Sequence, residues 1–279
     1  MITKTIGQVT FKLKEDFNFT FIAEYGEPFA VFDMQDSGNL CFGVSGSGKK
    51  LFLKMAGAMT MRSNVTTEEA IERLKSTVIT YNDLKHPKLT ELISYREIPG
   101  GYLQVYEWFE GKCMGKQYDS HDRFLCLPSA EKLVIYRDIL EFHKHVSEKD
   151  YTAIDFYDGC IMHNFDTHIT MFCDIEFYRK KPVINDMGRM WGSTRYMSPE
   201  EFELGAVIDE RSNVFLMGAA AFCLFGGEMD RSLNKWNLSE RLYNVAAKAV
   251  SLDKKDRYQS IGEYMEAWCE NEGTATDGI

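Results

Sequence analysis

The sequence has no pair of cysteines at C-x-x-C spacing, and its seven cysteines are odd in number. Zinc knuckles and disulfide-framed secreted domains need paired or regularly spaced cysteines, so both classes are excluded and a reducing compartment is expected. The first residues, MITKTIGQVTFKLKEDF, contain no apolar segment of the kind that a signal peptide needs. We therefore expect a cytoplasmic protein.

Long apolar runs and excess positive charge are also missing. The most apolar segment, VFLMGAAAFCLFGG (214–227), is shorter than the ~18 residues of a membrane-spanning helix and indicates a buried core helix. The chain has 32 Lys and Arg against 42 Asp and Glu, a net charge of −10. An acidic chain is poorly suited to phosphate contacts along a nucleic acid. Neither a membrane nor a nucleic acid is an expected partner.

What is present is an ordinary globular chain of 279 residues with 44% hydrophobic content, long enough to bury a large core. Short β-branched or aromatic runs near the start predict strands: VTFKL, FTFIAEY, PFAVFDM, LCFGV and LFLKMA. The segment EEAIERLKSTVITYNDL predicts a helix that Thr66 or Thr67 can cap. LTELISYREI and GYLQVYEWF predict a further strand pair joined at Pro99-Gly100-Gly101.

The second half of the chain is mainly helical. SAEKLVIYRDILEFHKHVSE predicts a long helix with Ser129 as its cap, and a short strand pair, DGCIMHNF and HITMFCDIEF, follows it. Three more helices are predicted after a loop-rich stretch that ends near Gly205. A β-rich half followed by a helical half predicts an α+β fold in two lobes. We place the boundary in EWFEGK, with domains of 1–108 and 109–279.

One familiar pattern is rejected. GVSGSGKK (43–50) approaches the phosphate loop GxxxxGK[ST], but Lys50 occupies the position of the metal-binding hydroxyl. That motif also opens a helix whose N-terminus faces the phosphates, whereas a strand pattern, LFLKM, follows here. The segment is interpreted as a glycine-rich hairpin turn.

The segment WGSTRYMSPEEFELGAVIDERSNVFLMGAAAF (191–222) resembles the end of a protein-kinase activation segment and the helix after it. The family pattern is G-T-x-x-Y-x-A-P-E followed by D-x-W-S-x-G, and the residues matching it in order and spacing are Gly192, Tyr196, Pro199, Glu200 and Gly218. The departures are Ser193, Ser198 and Asn213, which stand at the family Thr, Ala and Asp.

Farther on, LDKKDRYQSIGEY resembles the segment that carries a buried kinase arginine, which implies an ion pair between Arg257 and Glu200. The resemblance covers about residues 28–270, and over that range the chain is similar to bacterial serine/threonine-kinase-like proteins. It implies a bilobal protein-kinase-like fold with a β-rich N-lobe and a mainly helical C-lobe.

The resemblance also implies a catalytic loop in AIDFYDGCIM (153–162), which aligns with H-R-D-L-K-x-x-N-I-L. Asp155 takes the place of the aspartate that orients the acceptor hydroxyl and accepts its proton. The departures are Ala153, Ile154, Tyr157 and Cys160, which stand at the family His, Arg, Lys and metal-binding Asn. Without an arginine at Ile154, control by phosphorylation of the activation segment is not expected.

Asp174 in FCDIEFY stands at the Asp of D-F-G, and D-I-E also resembles a segment of aminoglycoside and choline kinases. Magnesium prefers hard oxygen ligands. Asp174 and Glu176, two apart on an extended segment, are expected to face the same way and to hold this ion. Asp158 or Asn164 could supply the oxygen missing at Cys160.

In the N-lobe the resemblance implies that Lys54 holds the ATP phosphates from the third strand. A phosphate-covering turn is expected at Asp33–Leu40, which contains one glycine, Gly38. The lysine-pairing position falls near Thr77, so Glu72, or Glu69 one turn earlier, is the candidate partner. In the hinge, Tyr106 would be the gatekeeper, and Glu107 and Phe109 would present backbone groups to adenine.

These expectations describe a phosphotransferase that uses ATP and magnesium and transfers the γ-phosphoryl group to a hydroxyl. A serine or threonine of a protein is the favoured acceptor, because the activation segment is protein-kinase-like. Two alternatives stay open. The absent catalytic-loop Lys and the D-I-E segment favour a small-molecule kinase of the aminoglycoside type. The absent Asn and the glycine-poor turn favour a pseudokinase that binds partners without catalysis.

Overall fold

The computed structural model describes residues 1–34 and 37–272. The chain forms two compact units, Met1–Glu110 (the first unit) and the residues from Gly111 onward (the second unit). The first unit is rich in strands and the second is mainly helical. The α+β class predicted from the sequence is therefore confirmed.

The first unit contains a two-stranded hairpin and a five-stranded antiparallel sheet of order β3-β4-β5-β7-β6. Its elements are Ile2–Ile6 (β1), Val9–Leu13 (β2), Glu27–Phe32 (β3), Leu40–Gly46 (β4), Lys49–Ala56 (β5), Thr67–Asp83 (α1), Leu92–Ile98 (β6) and Gly101–Glu107 (β7). Two of the predicted local signals are confirmed. The glycine-rich segment turns between β4 and β5, where Gly46 pairs with Lys49. Thr66 caps α1 through reciprocal bonds with Glu69.

FTFIAEY does not form the predicted strand. Thr20–Glu24 is a 3-10 helix, and the side chain of Asn18 accepts a hydrogen bond from the N–H of Thr20 at 2.9 Å. Adjacent residues of a strand face opposite sides of a sheet. Phe21 and Ile22 are adjacent and both are buried in the same core cluster, an arrangement that the tighter turn of a 3-10 helix allows.

The second unit is built around helices, with short strand pairs between them. Its helices are Ser120–Leu125 (α2), Ser129–Glu148 (α3), Glu210–Phe225 (α4), Glu240–Ala249 (α5) and Ile261–Glu272 (α6). Its strands are Lys112–Cys113 (β8), Tyr151–Thr152 (β9), Ile161–Asn164 (β10), Ile169–Phe172 (β11), Arg179–Lys180 (β12), Val183–Ile184 (β13) and Val207–Ile208 (β14). They pair as β11-β10-β8, β12-β9 and β13-β14.

Helix α4 forms the core of the second unit. Every residue from Ser212 to Phe225 is buried, and α4 packs on α3, α5 and α6. The hydroxyl of Tyr136, on α3, donates to the carbonyl of Met217 at 2.8 Å. The expectation of a buried core helix is confirmed. Among the helices of residues 1–34 and 37–272, none combines the length and the apolar character needed to cross a bilayer.

The predicted serine cap of α3 is wrong. Ser129 is already the first helical residue, and Pro128 occupies the cap position without a side-chain hydrogen bond. The carbonyl of Pro128 instead accepts the N–H groups of Glu131 and Lys132 at 3.0 and 3.1 Å. This carbonyl therefore satisfies N–H groups of the first turn for which the prediction required the serine hydroxyl.

Candidate active site

Asp155 lies in the loop that follows α3 and β9. Its neighbours Ile154 and Phe156 are buried, whereas Asp155 itself is only partly buried. Its backbone is left-handed, with φ of 62°. Such conformations cost free energy and cluster at functional sites, although aspartate tolerates them better than most residues. The buried neighbours thus anchor the loop on both sides of Asp155.

The thiol of Cys160 connects this loop to the segment that follows β11. Its sulfur lies 3.5 Å from the carbonyl oxygen of Asp155 and 3.9 Å from that of Asp174. The N–H of Cys173 donates to the carbonyl of Cys160 at 2.9 Å, which closes the connection through the backbone. Cys160 therefore brings the two aspartates together through their main chain.

Cys160 is fully buried, and its protonation state follows from that burial. Loss of solvent, and then the carboxylates of Asp174 and Asp155, hold the pKa of this thiol well above its ordinary value. A neutral thiol is a weak ligand for any metal and a poor one for magnesium, which prefers hard oxygens. Burial, and then Cys160 and the same two carboxylates, raise the pKa of the Tyr157 hydroxyl.

Asp174 and Glu176 do not lie on the extended segment predicted for them. Strand β11 ends at Phe172, Asp174 has a left-handed backbone with φ of 60°, and the N–H of Tyr178 turns back to the carbonyl of Ile175. The alternation of a strand therefore does not govern the directions of the two carboxylates. Asp174 is partly buried and Glu176 is 3% exposed.

Asp158 lies in a bidentate ion pair. Both of its carboxylate oxygens accept bonds from Arg195 at 2.9 Å, and Arg195 also lies 3.3 Å from Glu228. Bidentate arginine–carboxylate pairs are among the strongest hydrogen-bonded pairs in proteins. The pair attaches the segment around Tyr196 to the loop of Asp155. No sequence signal pointed to Arg195, because it lies far from Asp158 along the chain.

The activation-segment-like residues approach Asp155 closely. Gly192 has φ of 142°, and a Cβ placed on it would lie 3.7 Å from Cα of Asp155. A cavity of about 10 Å³, room for roughly one water molecule, lies beside Asp155 and is also lined by Ser193 and Glu201. The end of this segment is therefore adjacent to Asp155.

Glu201 is a second buried acid at this position. Its Oε2 accepts bonds from the N–H and the hydroxyl of Ser198 at 2.6 and 2.8 Å. Burial nevertheless outweighs these bonds and raises the pKa of Glu201 to about 7. The carboxyl group therefore titrates near neutral pH.

The predicted ion pair of Glu200 and Arg257 is confirmed. Arg257 donates to the two carboxylate oxygens of Glu200 at 2.8 and 3.0 Å, and the arginine side chain is fully buried. The hydroxyl of Ser212 donates to the same carboxylate at 2.6 Å. Burial alone would raise the pKa of Glu200, but the bonds from Arg257 and Ser212 keep it below its ordinary value. The pair ties the segment before α4 to the segment before α6.

In the first unit, Lys54 lies at the middle of the sheet on β5. Its neighbours Leu53 and Met55 are buried in the core, so Lys54 faces the other side of the sheet. Its cross-strand partner on β7 is Gln104, whose amide donates to the hydroxyl of Thr77 on α1 at 2.9 Å. Lys54 therefore shares a sheet face with Gln104, which contacts Thr77, the position where the resemblance implies a pairing glutamate.

The two candidate glutamates of α1 have other partners. Glu72 is exposed and lies 3.4 Å from Lys75. Glu69 forms the capping box with Thr66, and the bonds from Thr66 keep the pKa of Glu69 below its ordinary value.

The remaining first-unit residues have structural contacts. Gly38 has φ of 83°, and a Cβ placed there would meet the hydroxyl oxygen of Ser63 at 3.0 Å. Gly38 is thus packed against the segment before α1; residues 35 and 36 of the predicted phosphate-covering turn lie outside the described residues.

Tyr106 is buried and its hydroxyl donates to Gln104 at 2.5 Å. The N–H of Glu107 donates to the carbonyl of Glu91, and Phe109 is partly exposed.

No family model matches the chain. A G-type lectin S-receptor-like serine/threonine-protein kinase from Arabidopsis thaliana is 23% identical to it over 223 residues, which cover 77% of this chain. The chain spans about a quarter of that relative's length, since the match covers 24% of it. The similarity indicates a distant kinase-like relationship.

Proposed function

We propose that the protein is an ATP-dependent phosphotransferase that transfers the γ-phosphoryl group to a hydroxyl group. One observation carries the proposal. Cys160 joins the backbones of Asp155 and Asp174, and the segment of Gly192 and Ser193 lies against Asp155. A carboxylate that can orient the acceptor hydroxyl and a second carboxylate that can hold a metal ion are two of the parts that phosphoryl transfer uses. The distant similarity to a kinase supports the same class.

In the proposed reaction the acceptor oxygen attacks the γ-phosphorus, and the bond to the bridging oxygen of ADP breaks. The carboxylate of Asp155 orients the hydroxyl and accepts its proton. Lys54 supplies positive charge to the ATP phosphates, and the backbones of Glu107 and Phe109 bind adenine. Catalysis of this kind is mainly positioning and charge stabilisation, so the buried residues Ile154 and Phe156 contribute by holding Asp155 in place.

The magnesium that the kinase resemblance implies fits part of the donor set. Asp174 offers a hard carboxylate, and Glu176 is the proposed second one. Cys160 does not fit, because its thiol is neutral and bonded to main-chain carbonyls. Asp158 is left out of the proposed metal site, because Arg195 occupies both of its oxygens. When bound, magnesium would neutralise the charge of the phosphates.

A serine or threonine of a protein is the proposed acceptor. The segment 191–200 ends in the Glu200–Arg257 pair, which fixes it on the helical core, as a protein-binding surface beside Asp155 would need. The similar plant protein is itself named a serine/threonine-protein kinase.

A pseudokinase is the second candidate, and Cys160 favours it. A buried neutral thiol at the position of a metal-binding amide leaves fewer oxygen ligands for the ion. In that case the fold would bind a nucleotide or a partner without transferring phosphate.

The test is incubation of the purified protein with magnesium and ATP labelled in its γ-phosphate. The acceptors are the protein itself, casein as a generic protein acceptor, and an aminoglycoside. Label on serine or threonine of a protein is expected. Label on the aminoglycoside alone would replace the proposed acceptor by a small molecule. If no acceptor is labelled but ATP raises the melting temperature, the protein binds the nucleotide without transferring phosphate, and the pseudokinase is the remaining function.

A further inference from the structure

Two histidines and a glutamate of the second unit converge at a point outside the candidate active site. Glu131 lies in the first turn of α3, His163 on β10, and His168 in the turn between β10 and β11. Oε1 of Glu131 is 3.0 Å from Nε2 of His163 and 2.6 Å from Nδ1 of His168. Their ligand atoms all lie within 4.8 Å of one another.

The ring of His163 is fixed from its other side. His163 is fully buried, and its Nδ1 lies 3.0 Å from the hydroxyl oxygen of Thr170, which is also fully buried. Metal-binding histidines nearly always use the second ring nitrogen in this way, which fixes the tautomer and the direction of the ring. The hydroxyl of Thr170 leaves Nε2 directed at Glu131. Burial also holds the pKa of His163 below its ordinary value.

His168 is positioned by the turn rather than by packing. Asn164 accepts bonds from the N–H groups of Asp166 and Thr167 through its side chain, and from that of His168 through its carbonyl. His168 has a left-handed backbone with φ of 56°, a conformation that costs free energy for a histidine. Its side chain is 64% exposed, so an ion can reach the cluster from solvent.

The surrounding charges are of both signs. Arg123 lies over the ring of Phe165 at 4.1 Å and acts on His163 as a positive neighbour, which contributes to the low pKa of that histidine. Glu131 opposes it with a negative charge, and the histidines hold the pKa of Glu131 below its ordinary value against the effect of burial. The cluster thus combines one carboxylate with two imidazole rings.

We propose that Glu131, His163 and His168 bind a divalent transition-metal ion of the Zn²⁺ class. Imidazole ligands suit Zn²⁺ and its neighbours, whereas magnesium prefers oxygen ligands. Three protein ligands leave a coordination position for water. The ion ties the first turn of α3 to the turn between β10 and β11. This site does not depend on the proposed phosphotransfer, which uses other residues.

The test is zinc titration of the tag-free protein by isothermal calorimetry, since a polyhistidine tag binds the same ions. The wild type and His86→Ala, a control in the first unit, should bind a single ion with equal affinity. His168→Ala removes an exposed ligand with little risk to folding and should weaken binding by at least roughly 100-fold. Thr170→Val should weaken it by about 10- to 100-fold, because it removes the support of His163.

Co²⁺ provides a second readout that separates this cluster from the cysteines. Its complex with the wild type should show d–d bands without the near-ultraviolet absorption of a thiolate ligand. Wild-type affinity in His168→Ala, equal loss in His86→Ala, a thiolate band, or no binding by folded wild-type protein would each overturn the proposal.

Discussion

Replacing Arg257 by methionine should destabilise the second unit strongly, because the change strands a buried carboxylate. The guanidinium donates to Glu200 twice, and to the carbonyls of Ser251, Leu252 and Arg211, at distances between 2.7 and 3.1 Å. Methionine keeps most of the aliphatic volume, so the loss is mainly polar. After the change, Glu200 keeps the hydroxyl of Ser212 at 2.6 Å.

Removing one partner of a buried pair costs about 3–5 kcal/mol, since the other charge stays buried without compensation. Lys254 lies 3.7 Å from Glu200 and can move towards it, so we expect a value near the lower end. The double variant Glu200→Gln/Arg257→Met removes the stranded charge and should recover part of the loss. Arg211→Met is the matched control: its pair with Asp209 is partly exposed, and its loss should stay below about 1 kcal/mol.

Urea unfolding followed by tryptophan fluorescence measures these differences, since Trp236 and Trp268 lie in the same unit as the pair. The pKa of Glu200 is held low in the native protein, so its ion pair stabilises above the ordinary pKa of a glutamate and this is lost as pH falls. The difference between wild type and Arg257→Met should therefore shrink in acid. If Arg257→Met unfolds at the same midpoint urea concentration as the wild type, the reasoning is refuted.

Three further outcomes are expected. Lys54→Met should weaken ATP binding or abolish turnover, because it removes charge from the phosphates; equal ATP titrations would exclude Lys54 from the site. ATP should raise the melting temperature only with magnesium; Asp174→Asn should abolish this effect, whereas Cys160→Asn should keep it, because an amide can donate to the same carbonyls. Burial raises the pKa of Glu201 from 4.5 to about 7, so the contribution of Glu201 to the free energy of unfolding should fall by roughly 3 kcal/mol as pH rises through that interval. Urea titrations of the wild type and of Glu201→Gln, paired at each pH, isolate this contribution, because buried His143 acts in the opposite direction but equally in both proteins. The variant should lack the fall; the same pH dependence in both proteins would contradict the prediction.

The parts of the fold set by local signals could be predicted from the sequence. A glycine-rich turn between two apolar strands and a Thr66–Glu69 capping box are short-range features, and both occur as expected. Helix α4 was predicted from its apolar run alone. The strand predicted at FTFIAEY failed because tertiary packing of Phe21 and Ile22 decided its conformation.

The candidate site was predictable only where a family spacing marked it. The Glu200–Arg257 pair followed from such a spacing. The partner of Asp158 did not, because Arg195 is remote in the chain and no local pattern joins them. The directions of the Asp174 and Glu176 carboxylates were also not predictable, since a left-handed residue interrupts the expected strand. Backbone conformation at single residues is the information that one sequence lacks.

The central claim is that Asp155 accepts the proton of the acceptor hydroxyl. The most direct measurement is the rate of γ-phosphoryl transfer by Asp155→Asn compared with Asp150→Asn. Both aspartates have left-handed backbones, with φ of 62° and 65°, and asparagine tolerates that conformation, so the two changes strain the chain equally. Loss of a general base should slow transfer by Asp155→Asn about 10²- to 10⁴-fold, while Asp150→Asn keeps the wild-type rate. Transfer by Asp155→Asn at the wild-type rate would contradict the account.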